Sequence, residues 1–187
     1  MIQPLRQVPT ELTRGRIVFG HPDGYFVNKN GLRINHDYRP NRPRCAVRKL
    51  KPYPKLRYYG NKECHVLMVC TFLRKPDRSI RETIDHIDGN TLNYSVLNLR
   101  IVSDSINRRD AGFLRKLRNK GIDATMYSAP LLLRFFDRMA DFKAHHSRTA
   151  YEKVTRTELL QMLVSPEFRV DDPDKIMEYE MTHHCEC

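Results

Sequence analysis

Ile84-Asp85-His86-Ile87-Asp88-Gly89-Asn90, followed by Asn98-Leu99-Arg100 and then by Asn107, is the stretch on which the reading of this chain turns. Ile80 to Ile87 reads as a strand, Asp88-Gly89 as its turn and Leu99 to Val102 as the returning strand. Ser103 or Asp104 then caps a helix, since a short side-chain oxygen satisfies free backbone N–H groups at such a start. Along that helix Ile106, Phe113, Leu114 and Leu117 make one apolar face, while Arg108, Arg109, Arg115, Lys116 and Arg118 crowd the rest. Lys120-Gly121 stops it. The expectation is a β-β-α unit.

The chemistry of that unit follows from its residue types. Asp85 offers an anionic oxygen and Asn107 a neutral carbonyl oxygen, a hard set that suits Mg²⁺ or Mn²⁺ better than Zn²⁺. Two protein ligands leave most of the coordination shell to water and to a phosphate. His86 supplies an imidazole that titrates near neutrality, the usual choice for activating a water. Adjacent residues of a regular strand point to opposite faces, so Asp85 and His86 share a site only if the strand ends or bulges there. The Asp88-Gly89 turn provides such an end. Taken singly these residues read more plainly: an Asp-His pair as a surface charge beside a hydrogen-bonded His, Asp-Gly-Asn as a good turn. Asn98 is expected to be structural, pinning the Thr91–Leu97 loop to backbone groups.

Outward from this stretch, charge is unevenly spread. The 187 residues carry a formal charge of +11. Positions 1–60 hold thirteen Lys and Arg against three acids, whereas 166–187 hold seven acids against Arg169 and Lys175. A basic front and an acidic end fit a chain that lays its first part on a polyanion, nucleic acid before membrane. Met1 to Thr10 has two prolines and no apolar core, so no secretory signal is expected. No apolar run reaches the roughly 18 residues of a spanning helix. Without an export signal the five cysteines read as reduced thiols, and the expected location is cytoplasmic.

The first sixty residues read as short strands, among them Arg16 to Phe19, and Tyr25-Phe26-Val27 with Leu32-Arg33-Ile34 around the hairpin signal Asn30-Gly31. Asn41 to Tyr59 mixes prolines with Arg, Lys and three tyrosines, as an extended basic arm or sheet edge would. Cys64 to Phe72 is a buried helix or strand, which periodicity alone does not decide. After Gly121 the pattern turns helical. Leu131, Leu132, Phe135, Met139 and Phe142 predict a helix over 130–146 with Pro130 in its first turn. His145 and His146 would cap its end. Thr155-Arg156-Thr157-Glu158 is a capping box for a second helix carrying Leu159, Leu160 and Leu163. His183, His184, Cys185 and Cys187 form a soft-ligand tail, with Cys45, Cys64 and Cys70 as further thiols, but no Cys-x-x-Cys spacing supports a zinc site.

Residues His65 to Arg109 resemble the HNH nuclease motif, in the homing-endonuclease branch found in phages and mobile introns. Cys64-His65-Val66-Leu67 through Phe72 is similar to the family's segment of His, apolar residues and a closing Phe. Asp85-His86-Ile87-Asp88-Gly89-Asn90 matches its Asp-His-x-Asp-Gly-Asn core, Asn98-Leu99-Arg100 its Asn-Leu-Arg segment, and Asn107 its last motif position, where many members have His. The resemblance implies an α+β protein with a ββα-metal (His-Me finger) core at 61–122, behind a β-rich basic region at 1–60 and ahead of a helical region at 123–187. It implies a metal-dependent endonuclease acting on double-stranded DNA and leaving a 5′-phosphate and a 3′-hydroxyl. Asp85 and Asn107 would hold one divalent ion, His86 would be the general base, and no small-molecule cofactor is needed. His65, Asn90 and Asn98 would serve the motif structurally. DNA contacts are expected from Arg42, Arg44, Arg48, Lys49 and Lys51, from Lys55 and Arg57, and from Arg108, Arg109 and Arg115 of the helix. The alternative is a sequence-specific DNA-binding protein or regulator whose nuclease centre is vestigial.

Overall fold

The computed structural model describes residues 4–36 and 53–164, a mixed α+β chain that divides into two compact units at Asn107 and Arg108. Arg42, Arg44, Arg48, Lys49 and Lys51, Cys45 and the His/Cys tail lie outside the described residues.

The first unit opens with four short antiparallel strands in sequence order: β1 (Arg6–Gln7), β2 (Val18–His21), β3 (Tyr25–Asn28) and β4 (Arg33–Ile34). Along β2, Val18 and Gly20 are buried while Phe19 and His21 are half-buried, the two-residue period of a strand with one covered face. Asn30-Gly31 does make the β3–β4 turn, but as a three-residue loop. Gly31 takes φ +77°, and the Asn28 Oδ1 accepts from the backbone N–H groups of Asn30 and Leu32. Residues 53–59 are not an extended arm. They lead into a small hairpin of β5 (Lys55–Leu56) and β6 (Lys62–Glu63), with Leu56 fully buried.

Cys64 to Phe72 is helical, and the helix α1 (Cys64–Phe72) buries Cys64, His65, Leu67, Met68 and Val69. A helix apolar on every side lies inside a fold rather than on it, which is why its sequence shows no face. It packs against the four-stranded sheet so closely that a side chain at Gly20 would meet Phe72 at 3.2 Å and Met68 at 3.3 Å. On its other flank it meets the hairpin of β7 (Glu82–His86) and β8 (Leu99–Ser103). Val8, Val18, Phe26, Leu56, Leu67, Met68, Tyr94 and Leu99 therefore form one core that joins residues on both sides of position 60. Burying each of the larger aliphatic or aromatic side chains contributes about 1.5–3 kcal/mol.

The strand expected from Ile80 begins only at Glu82. Arg81 takes φ +58°, and Arg74 bonds Glu82 through Nη1 and Nη2, both at 2.5 Å, so the chain turns where the apolar run starts; Ile80 is left exposed. β8 runs directly into α2 (Asp104–Asn119), inside which the division between the units falls. Ile106 departs from the apolar stripe expected of this helix and is 36% exposed.

The second unit is helical: the rest of α2, then α3 (Ala129–His145), α4 (Arg148–Lys153) and α5 (Arg156–Leu163). Phe113, Leu117, Leu132, Phe135, Phe136, Met139, Leu159 and Leu163 fill its interior. The Arg138 Nη1 donates to the carbonyls of Met162 and Val164 at 2.9 and 2.7 Å, closing the end of α5. The short helix α4 was not expected from the sequence; its start is the cap Ser147, whose Oγ accepts from the Ala150 N–H. Among the described residues no helix is long and apolar enough to cross a membrane.

Candidate functional site

The Asp88-Gly89 turn is held by a small polar network. Asp88, 8% exposed, accepts on Oδ1 from the backbone N–H of Asn90 (2.7 Å) and from Asn98 Nδ2 (2.9 Å), and on Oδ2 from Asn93 Nδ2 (2.8 Å). Asn98 returns the contact by accepting the Asp88 N–H at 3.1 Å and donates also to the Asn93 carbonyl at 2.8 Å. Asn90 accepts from the Leu92 N–H at 3.0 Å. The side chains of Asp88, Asn90 and Asn98 thus tie down the loop between β7 and β8, satisfying backbone groups that burial would otherwise leave costly. The β2–β3 turn braces the same loop: Val96 N–H donates to the Pro22 carbonyl at 2.8 Å. A side chain at Gly24, φ +90°, would fall 2.8 Å from the Ser95 nitrogen.

With its loop fixed, the hairpin presents Asp85 directly opposite Arg100 in the ladder. Arg100 donates to Asp85 Oδ2 from Nε at 3.0 Å and from Nη2 at 2.7 Å, and both side chains are largely covered, 12% exposed for Asp85 and 20% for Arg100. Opposite charges directly across a strand pair favour this register. In the sequence Arg100 is only a letter of the motif; its pairing with Asp85 appears once the strand register is fixed.

His86 is the last residue of β7 and is 6% exposed. Its ring meets that of His65 edge-on at 5.1 Å and lies nearly parallel to that of Tyr53 at 5.9 Å; Tyr53 and His65 are 4.5 Å apart. Glu63 Oε2 stands 3.6 Å from His65 Nε2. Burial, and then the charge of His86, push the His65 imidazole down to about 3. Burial raises the Tyr53 hydroxyl, and the carboxylates of Glu63 and Asp85 raise it further. Tyr53 therefore lies in the field of Asp85 while stacking on His86; the ladder is regular through both strand neighbours, with Asp85 opposite Arg100 and His86 opposite Leu99. Nothing in the spacing of the sequence marks Tyr53 or Glu63 for this place. A cleft of about 750 Å³ opens beside the group, lined by Tyr53, Lys62, Glu63, His65, Arg78 and Ile84 among others.

The other site residues fall as follows. Asn107 is half-buried one turn into α2. Lys55 lies 3.7 Å from Glu63, and Arg57 is exposed. Arg108 and Arg115 are exposed on α2, while Arg109 turns back to the buried Asp110 at 2.7 Å. Among the described residues no three His, Cys, Asp or Glu side chains gather into a group that could hold a metal ion. The donor chemistry of Asp85 and Asn107, one carboxylate and one amide oxygen with no thiolate, fits an open site for a hard cation rather than a closed cage. Comparison with protein-family models, with curated proteins and with solved structures finds no match for this chain.

Proposed function

We propose that the chain is a metal-dependent DNA endonuclease of the HNH homing type, with β7, β8 and α2 as its ββα-metal unit. The observation that carries this reading is the placing of Asp85 and His86 at the end of one strand, each largely enclosed by polar or titratable side chains instead of water. A surface Asp-His pair would need neither Arg100 nor the Tyr53–His65 packing. Asp85 and Asn107 would hold one Mg²⁺ or Mn²⁺, which supplies charge neutralisation at the scissile phosphate. His86 takes a proton from water as the water oxygen bonds to phosphorus, the bond to the 3′ oxygen breaks, and that oxygen ends protonated. The products are a 5′-phosphate and a 3′-hydroxyl. Lys55, Arg57, Arg108 and Arg115 would fix the duplex by its phosphates.

The test is incubation with plasmid DNA and Mg²⁺ or Mn²⁺, with mapping of the ends, beside Asp85→Ala and His86→Ala. Cleavage that survives chelation, or that both variants retain at the parent rate, removes the reading.

A second reading has its own observation. His86 is 6% exposed and Asp85 already satisfies Arg100, as in a centre kept only for its fold. A DNA-binding regulator of that kind would bind duplex in a salt-dependent manner and cut under no metal.

A further inference from the structure

Two buried histidines, His65 and His86, stand where a core built only for stability would place aliphatic side chains, with the half-buried Tyr53 and Glu63 beside them. Tyr53, His65 and His86 meet ring to ring at 4.5, 5.1 and 5.9 Å, with Glu63 at 3.6 Å from His65. His65 is 7% exposed, and its Nδ1 is buried with no hydrogen-bond partner among the described residues. Burial denies such an atom the hydrogen bond that water would give it, so the position is poor as mere packing. Two of the three ring contacts converge on His86. Tyr53 lies nearly parallel to the His86 ring, offset from it, and His65 meets it edge to face, the two geometries aromatic pairs favour. Each comes from a different element: Tyr53 precedes β5, His65 stands in the first turn of α1, and His86 ends β7. The imidazole is thus contacted from two elements other than its own strand.

We propose that Tyr53 and His65 are positioning residues, a two-ring clamp that holds the His86 imidazole in one rotamer for proton transfer. The role in catalysis rests on the nuclease reading above; the clamp itself does not. The ring of Tyr53 does the work and its hydroxyl does not. Tyr53→Phe keeps the single-turnover cleavage rate within about threefold, whereas Tyr53→Leu lowers it about 10- to 100-fold, with duplex affinity unchanged. A purely structural tyrosine would instead lose stability and DNA binding together, and its Leu variant would cut normally per folded molecule.

A second measurement needs no cleavage and no variant. In the intact wild-type protein, NMR should give His86 three-bond couplings of a single χ1 rotamer, with cross-relaxation from its ring protons to those of Tyr53 and His65. Averaged couplings in the wild type overturn the clamp, as does an unchanged rate for Tyr53→Leu. A wild-type protein with a single His86 rotamer that cuts no DNA under any metal leaves the clamp standing and ends the nuclease reading. The two failures are therefore told apart.

Discussion

In the first unit a buried histidine rests its ring against a second histidine and a tyrosine. In the second unit the same depth is filled by Leu132, Phe135, Phe136, Met139 and Leu159. Both units close their ends with polar groups, Asn98 on the β7–β8 loop and Arg138 on the last carbonyls of α5. The difference lies inside. In the second unit the buried Asp110 lies against Arg109 beside it, whereas the first surrounds Asp85 and His86 with groups that titrate, stack or carry charge. Polar interiors are costly to keep and seldom chosen for stability, so on the proposed nuclease reading the contrast separates a region shaped by chemistry from one shaped by packing.

Substitutions should therefore divide by unit. The largest effect is expected on cutting: His86→Ala or Asp85→Ala lowers the plasmid cleavage rate by about 10²–10⁴-fold, with helix content by circular dichroism preserved. A variant that loses both the rate and the helices would mean that the polar centre is structural after all. Next comes packing. Phe135, fully buried, should cost about 3–5 kcal/mol on truncation to alanine, measured by urea unfolding, with cleavage per folded molecule unchanged. Asn98→Ala breaks both classes mildly. It removes three hydrogen bonds around Asp88 and should cost about 2–3 kcal/mol while also loosening the loop that ends β7. If Asn98→Ala lowers stability without touching cleavage, the loop clip and the site are independent.

Acid should act on the first unit in its own way. His65 is held at about 3 by burial and by the neighbouring His86, below the usual histidine value near 6.5. Below that usual value the unfolded chain takes up a proton that the folded state refuses. Stability is therefore full above about pH 6.5 and falls as pH drops toward 3, by about 1.4 kcal/mol for each unit well below 6.5. Urea unfolding from pH 7 to 4.5 should show this slope, and His65→Leu should flatten it. A wild-type profile flat over that range would mean that His65 is not buried as a neutral ring.

Much of this was legible beforehand where local chemistry and long-range packing agree. The β7–β8 hairpin, the start of α2 and its end at Gly121 were readable because turn and cap residues act within a few positions. The ambiguity of Cys64–Phe72 had a physical cause, since a helix that is largely apolar all round has no polar face to set its period. Other features depend on tertiary neighbours and leave no local mark. Tyr53 read as part of a basic arm, yet its ring lies on His86, thirty-three positions away. Ile106 carried the right helical spacing, but whether a spaced residue is covered depends on what packs there. Asp85 stood out by its type, while Arg100 emerged only once the strand register put the two opposite each other.

The smallest expected effect tests the packing side of the contrast from its edge. The capping box read at 155–158 is formed: Thr155 Oγ1 accepts the Glu158 N–H at 3.2 Å, and a Glu158 carboxylate oxygen accepts the Thr155 N–H at 2.7 Å. The Thr155 N–H and the Thr155 hydroxyl, which donates to the same carboxylate oxygen at 2.8 Å, hold the Glu158 carboxyl below the usual range. Thr155→Ala removes one of them and should cost about 1 kcal/mol by urea unfolding at neutral pH, with no change in cleavage per folded molecule. Because α5 buries Leu159, Leu160 and Leu163 just behind the cap, fraying at Thr155 loosens apolar packing before anything else. A cleavage defect in Thr155→Ala larger than its loss of folded protein would mean that the helical unit takes part in the chemistry, and that packing and site are not divided as the two interiors suggest.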